Sequence, residues 1–141
     1  MTKVQFTKMH GIGNDFIVIN NDQYVAPSET WSERARKWCN RFTGVGADGL
    51  ILVKQDPQLE MIIYNADGTI PEMCGNGLRC VVKYCVDQGM TQSDTEVIKT
   101  GAGDMTVMVI SNESDKAIVA VDMGAPILER SDIPIAGDER G

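Results

Sequence analysis

The stretch "EMCGNGLRC" at residues 72–80 sets a thiol, Cys74, just ahead of a glycine-flanked asparagine, where an apolar helical pattern begins. The first N–H groups of a helix lack intrahelical acceptors, and the aligned peptide dipoles leave partial positive charge there. A thiolate beside such an end is stabilised, which suits it to act as a base. Gly75 and Gly77 put no side chains around those N–H groups, so a substrate carboxylate has room to approach, and Asn76 offers both a donor and an acceptor. Proton abstraction beside a carboxylate needs this combination, because the donors that hold the carboxylate also stabilise the charge that spreads onto it. An ordinary glycine-containing strand-to-helix turn accounts for the same local pattern, and both readings stand at this level.

The other three cysteines read differently. Cys39, Cys80 and Cys85 lie within helical patterns beside apolar neighbours and are expected to pack as small hydrophobes. A zinc site is excluded by spacing. At 3.6 residues per turn, Cys74 to Cys80 rotates about 240° and Cys80 to Cys85 about 140°, while Cys74 and Cys85 stand about 16 Å apart. Zinc needs sulfurs converging at about 2.3 Å from one point, so the reading assigns no metal.

The elements around Cys74 follow from periodicity. "KVQFTK" at 3–8 and "DFIVIN" at 15–20 alternate like half-buried strands joined through "HGIGN" as a hairpin. "SETWSERARKWCNRF" carries Thr30 three residues before Glu33 as a capping box, with Trp31, Ala35, Trp38 and Phe42 on one helical stripe. "LILVK" and "LEMIIYN" read as strands, the second ending in the turn "NADGT". A helix from Asn76 or Gly77 to Gln88, stopped by Gly89, carries Leu78, Val81, Val82, Cys85 and Val86 around much of its circumference. "TEVIKT", "DMTVMVIS" and "AIVAVDMG" are again strand-like. Strands on both sides of one mostly apolar helix predict an α+β lobe, a curved antiparallel or mixed sheet wrapped around a central helix, with one further amphipathic helix on the surface. The lobe is placed at residues 1–122. The proline-containing remainder, 123–141, reads as a crossover or the truncated start of a second unit.

Composition narrows the class. The chain has 141 residues, 43% of them hydrophobic, with a net charge of −7 and a pI near 4.6, which suits one soluble domain with an ordinary core. None of the 13 basic residues forms a run, which argues against a nucleic-acid partner. No apolar stretch approaches the roughly 20 residues needed to span a membrane. The N-terminus lacks the apolar core of a secretory signal, so a cytoplasmic location with free thiols is expected.

Four ordered motifs, "KMHGIGNDF" at 8–16, "GVGADGL" at 44–50, "NADGT" at 65–69 and "EMCGNGLRC" at 72–80, closely resemble the amino-terminal half of the diaminopimelate epimerase family. The resemblance implies a two-lobed fold with the active site between the lobes. It implies interconversion of LL- and meso-diaminopimelate without pyridoxal phosphate or another cofactor, in lysine and peptidoglycan-precursor synthesis, by two cysteines on opposite faces of an α-carbon. Cys74 sits where the family's first cysteine sits, and Asn14, Asn65, Gly75 and Asn76 match family substrate contacts. His10 is assigned to packing and hydrogen bonding near the hairpin, and Asp48 and Asp67 to turns. Some relatives carry Gln in place of Gly49 and many carry Ala in place of Leu78. None of Cys39, Cys80 or Cys85 has a second "CGxG"-like context, so the opposing group is expected from a second lobe, with a homodimer as a further possibility. Two readings remain beside this one: a proline or hydroxyproline racemase of the same superfamily, and a non-enzymatic thiol sensor or ligand-binding module.

Overall fold

The computed structural model describes residues 3–23 and 30–133. Seven strands form one mixed sheet in chain order: β1 (Thr7–Gly11), β2 (Asn14–Asn20), β3 (Gly49–Lys54), β4 (Glu60–Asn65), β5 (Thr95–Thr100), β6 (Gly103–Asn112) and β7 (Ala117–Val121). Neighbours pair antiparallel except at β2–β3 and β4–β5, which are parallel. Parallel neighbours need long crossovers. The first carries α1 (Trp31–Trp38) and the second α2 (Gly75–Asp87). The two edge strands, β1 and β7, both touch α2, as do β2, β3, β4 and β6, so the sheet curls around that helix. This is the α+β lobe that the alternating strand pattern predicts.

Sheet burial explains the sequence of the central strands. Phe16, Val18, Ile51, Val53, Met61 and Ile63 join Leu78, Val81, Val82 and Cys85 of α2 in the main core. The intervening residues Ile17, Ile19, Leu50 and Leu52 face the other way, packing with Ala35, Cys39, Trp31 and Trp38 under α1. Strands covered on both faces read as unbroken apolar runs, as "FIVI" and "LILV" do. Leu78 is fully buried, so its truncation to alanine would cost about 2 to 5 kcal/mol.

The helix ends have identifiable causes. Thr30 and Glu33 form the expected capping box: Thr30 Oγ1 accepts from the Glu33 N–H at 3.2 Å, and Glu33 Oε2 accepts from the Thr30 N–H at 2.9 Å. At the far end of α2, the Gly89 N–H donates to Val86 O at 3.1 Å and the Met90 N–H to Cys85 O at 2.8 Å, with Gly89 at φ 69°. That left-handed stop is the one the sequence signals with its glycine.

Four expectations need correction. The first strand is displaced from 3–8 to Thr7–Gly11, leaving Phe6 half-exposed. The cause is the two-residue turn Ile12–Gly13, where both φ values are positive, which fixes the Gly11↔Asn14 register and carries pairing back only to Thr7↔Val18. Phe42 is not on the buried stripe of α1; it is 98% exposed. Asn40 Oδ1 accepts from the N–H groups of Phe42 and Thr43 at 2.8 and 3.0 Å, so an asparagine turn ends the helix before that stripe is complete. Cys39 is accordingly a buried C-cap rather than a helix-interior residue. α2 begins one residue earlier than expected, at Gly75. After β7 the described chain contains only one short 3-10 turn, Arg130–Asp132, and residues 134–141 of the expected crossover lie outside the described residues. No helix among the described residues is long and apolar enough to cross a membrane.

Candidate active site

The register of the sheet gathers three of the four motifs at one rim. Gly11 pairs Asn14, Phe16 pairs Gly49, and Gly49 pairs Asn65, so the start of β2, the start of β3 and the end of β4 share one end of the sheet. The N-terminus of α2 meets the same end: a side chain on Gly77 would touch Ile51, Ile63 and Phe16. A Cβ on Gly11 would lie 3.0 Å from the Asn76 carbonyl oxygen, so the hairpin and the helix start meet more closely than most side chains allow.

Cys74 is the N-cap of α2, with extended backbone and partial exposure. Its Sγ accepts from the Gly77 N–H at 3.4 Å, replacing the oxygen of an ordinary cap. It also lies 3.6 Å from Asn14 Oδ1, toward which the thiol donates. Asn76 Nδ2 donates to the same Asn14 oxygen at 3.3 Å, and the Arg79 guanidinium donates to Asn76 Oδ1. Cys74, Asn14 and Asn76 thus form one hydrogen-bonded cluster, whose links to Asn14 span 60 residues from Cys74 and 62 from Asn76. The N–H groups of Gly75 and Asn76 have no acceptor among the described residues, and the first turn of α2 contains no acidic side chain. That end therefore keeps its partial positive charge for an incoming anion.

The remaining expected residues divide. Gly75 is open: an added Cβ would meet nothing closer than Met123 Sδ at 3.7 Å. Asn65 lies on the same rim but outside the cluster, its Nδ2 donating to Thr69 Oγ1 at 3.0 Å to close the "NADGT" turn. Asp67 fills the turn role expected of it, accepting from the Thr69 N–H and hydroxyl, which hold its carboxyl below the usual range. His10 accepts from the Gly13 N–H at 3.1 Å, as the hydrogen-bonding role requires, but its ring is exposed rather than packed. Gly49 admits no side chain in this backbone, since a Cβ would lie 2.8 Å from the Tyr64 carbonyl oxygen.

Asp48 departs from its expected turn role. Its Oδ2 accepts from Asn14 Nδ2 at 2.8 Å and from the Asp15 N–H at 3.1 Å, and its Oδ1 pairs with Arg41 at 3.1 Å. Arg41 also grips Asp15 through two bonds of 2.7 and 3.1 Å, and chiefly that contact holds the Asp15 carboxyl well below the usual carboxylate range. Nothing in "GVGADGL" alone signals this; the clue is the parallel register, which sets Asp48 beside Asp15.

Burial separates the other thiols from Cys74. Desolvation pushes Cys39 and Cys80 up to about 11 and Cys85 up to about 12.

The family model described as "Diaminopimelate epimerase" matches residues 6–129. Among curated relatives, the diaminopimelate epimerase of Methanocella arvoryzae is 45% identical over 139 residues, covering 97% of this chain and 49% of the relative. That of Pelotomaculum thermopropionicum is 44% identical over 136 residues, covering 95% and 49%. The chain thus spans about half the length of the curated relatives it matches. Solved structures share the fold at low identity: a hydroxyproline epimerase from Agrobacterium vitis has a TM-score of 0.61 at 16% identity over 84% of this chain and 40% of that one. A methylitaconate-delta-isomerase reaches 0.62 at 13% identity over 81% and 36%. With nearly its whole length matched by the family model, the chain belongs to the diaminopimelate epimerase family.

Proposed function

We propose that this chain forms one wall of the active site of a cofactor-independent diaminopimelate epimerase, with Cys74 as one of two proton-transfer groups. The single observation that carries the proposal is the seat of Cys74 Sγ: at the cap of α2, against the Asn14 carbonyl oxygen that Asn76 also bonds, next to the two N–H groups of Gly75 and Asn76 that have no acceptor among the described residues. In the proposed reaction the Cys74 thiolate takes the α-proton of LL-diaminopimelate. The C–H electron pair spreads onto the α-carboxylate, which the N–H groups of Gly75 and Asn76 hold at the helix end. A second acid on the opposite face then returns a proton to the carbon, giving the meso isomer, and Cys74 is left as a thiol. Asn65, on the same rim, serves as a further substrate contact.

Inverting a carbon needs an acid and a base on opposite faces, and only Cys74 combines a thiol with access at this rim. The opposing group is assigned to a second lobe, joined through 123–141 to a first lobe of 1–122. Cytoplasmic amino-acid biosynthesis is the setting that the family supports. The alternative of a proline or hydroxyproline racemase draws on the shared fold alone, at 16% identity for the hydroxyproline enzyme. Side-chain amides at Asn14, Asn65 and Asn76 suit a substrate with additional ammonium and carboxylate groups. Incubation of residues 1–141 with LL-diaminopimelate in deuterated water is expected to give neither α-proton exchange nor meso product, whereas a protein carrying both lobes is expected to give both. Exchange catalysed by residues 1–141 alone would overturn the one-base account; failure of a two-lobed protein to exchange diaminopimelate while acting on proline would favour the racemase.

A further inference from the structure

An amide side chain has a donor end and an acceptor end, and its neighbours decide which way each end points. A carboxylate only accepts and a guanidinium only donates. Asn14 and Asn76 lie between one of each. The Arg79 guanidinium donates to Asn76 Oδ1, Asn76 Nδ2 donates to Asn14 Oδ1, and Asn14 Nδ2 donates to Asp48 Oδ2. The chain of bonds therefore runs in one direction, from Arg79 to Asp48, and leaves neither amide free to flip. One result is that Asn14 turns its carbonyl oxygen, not its amino group, toward Cys74 Sγ at 3.6 Å.

We propose that Asp48 is a positioning residue for Cys74: by taking the amino group of Asn14, its carboxylate fixes an acceptor against the thiol and sets the direction in which the S–H points. Arg41 completes the device. It binds Asp48 Oδ1 at 3.1 Å and both oxygens of Asp15, so the two adjacent carboxylates are held together by a shared cation. Lys8 pairs with Asp15 from the other side. The parallel pairing of β2 with β3 is what brings Asp48 there, since the Asp48 N–H continues the ladder to Asp15 O at 2.9 Å. The geometry matters for turnover only insofar as Cys74 transfers a proton, the reading given above, but the orientation itself is testable without any substrate.

The experiment is a double-mutant cycle read on labelling of Cys74. Asn14→Ala, Asp48→Asn and the double variant are made in this chain, checked for folding by circular dichroism, and labelled with iodoacetamide at near-neutral pH with peptide mapping by mass spectrometry. In Asp48→Asn only one of the two positions keeps an acceptor; the charged guanidinium of Arg41 is the stronger donor and takes the amide oxygen, so the amide nitrogen faces Asn14 Nδ2 and Asn14 is released. Each single variant is expected to speed labelling at Cys74 by at least about threefold, and the double variant to label no faster than Asn14→Ala alone. A purely structural role for Asp48 gives multiplied effects instead. Multiplication, or wild-type labelling in Asp48→Asn, overturns the proposal, as does an Asn14→Ala variant that labels at the wild-type rate. If Asp48→Asn melts below the assay temperature, Asp48→Glu, which keeps the charge for Arg41 but displaces the oxygens, takes its place in the cycle and is read the same way. A failed search for epimerase activity leaves these rates untouched, so the two readings fail separately.

Discussion

The two helices occupy equivalent places, each crossing between parallel strands, yet their amino termini are built for opposite ends. α1 starts at Thr30 with an oxygen cap and a glutamate that closes back on it, so its positive end is met by a carboxylate from its own first turn. α2 starts at Cys74 with a sulfur cap, two glycines and no acidic residue in the first turn. A capping box is also absent from α2, whose third position carries no side chain to close it. The position equivalent to Glu33 is Gly77, where a Cβ would sit 3.0 Å from the Ile51 methyl. α2 thus lies close against the core with no carboxylate of its own at its amino terminus, the opposite of α1.

The largest expected effect tests whether that open end is functional. In a protein carrying both lobes, Cys74→Ala is expected to lower turnover by about 10² to 10⁴-fold, the usual contribution of a positioned acid or base, while the melting temperature stays near wild type. Cys85→Ala inverts the pattern. Cys85 is fully buried against the sheet, so its truncation is expected to cost about 1 to 2 kcal/mol with little change in turnover. Steady-state kinetics and thermal melts on the same pair decide the matter, and near-normal turnover by Cys74→Ala would remove the functional half of the contrast.

A second effect separates the open end from the helix body by pH. Folded Cys39, Cys80 and Cys85 keep their protons to about 11, 11 and 12 because burial disfavours the thiolate, whereas an unfolded thiol ionises near 9. Above that value the unfolded state binds fewer protons than the folded one. Stability from these thiols is therefore fully present below about pH 9 and is lost as pH rises toward 11 to 12. Melting temperature is expected to fall across that window, less steeply in Cys85→Ala. Below it, alkylation is expected at Cys74 first, faster by at least about tenfold than at the three buried thiols.

Legibility in the sequence tracks how local each cause is. The capping box, the Gly89 stop and the last three strands depend on neighbours within a turn or a hairpin, and the sequence signals them directly. Cys74, Asn76 and Gly75 were recognisable for the same reason, as parts of one helix start. Asn14 needed the family resemblance, because only folding brings it to a residue 60 positions away. Asp48 reads in the sequence only as a turn residue and Arg41 is not singled out: their ion pairing depends on a parallel register that no local pattern encodes. Lys83 is a similar case, a charge on an apolar helix that looks misplaced until the β6–β7 turn folds over it. There its ammonium finds Asp87 at 3.0 Å and Asn112 Oδ1 at 2.9 Å.

The smallest effect concerns the caps themselves, and its sign distinguishes a helix end selected for stability from one that is not. Thr30→Ala removes the hydroxyl that accepts the Glu33 N–H and leaves that donor to solvent. Loss of such a cap costs about 1 kcal/mol, which for a chain of this size lowers the melting temperature by roughly 3 to 5 °C. Cys74→Ser does the reverse. A serine oxygen caps a helix better than sulfur does, and the Gly77 N–H is already aimed at the position it would take. The serine variant is therefore expected to melt at or slightly above the wild-type temperature, although it removes the thiol on which the proposed chemistry depends. Thermal melts of the two variants, followed at one wavelength under identical conditions, measure both signs. A clear loss of stability in Cys74→Ser would mean that the thiol is retained for packing at the rim, and the contrast between the two helix ends would lose its functional meaning.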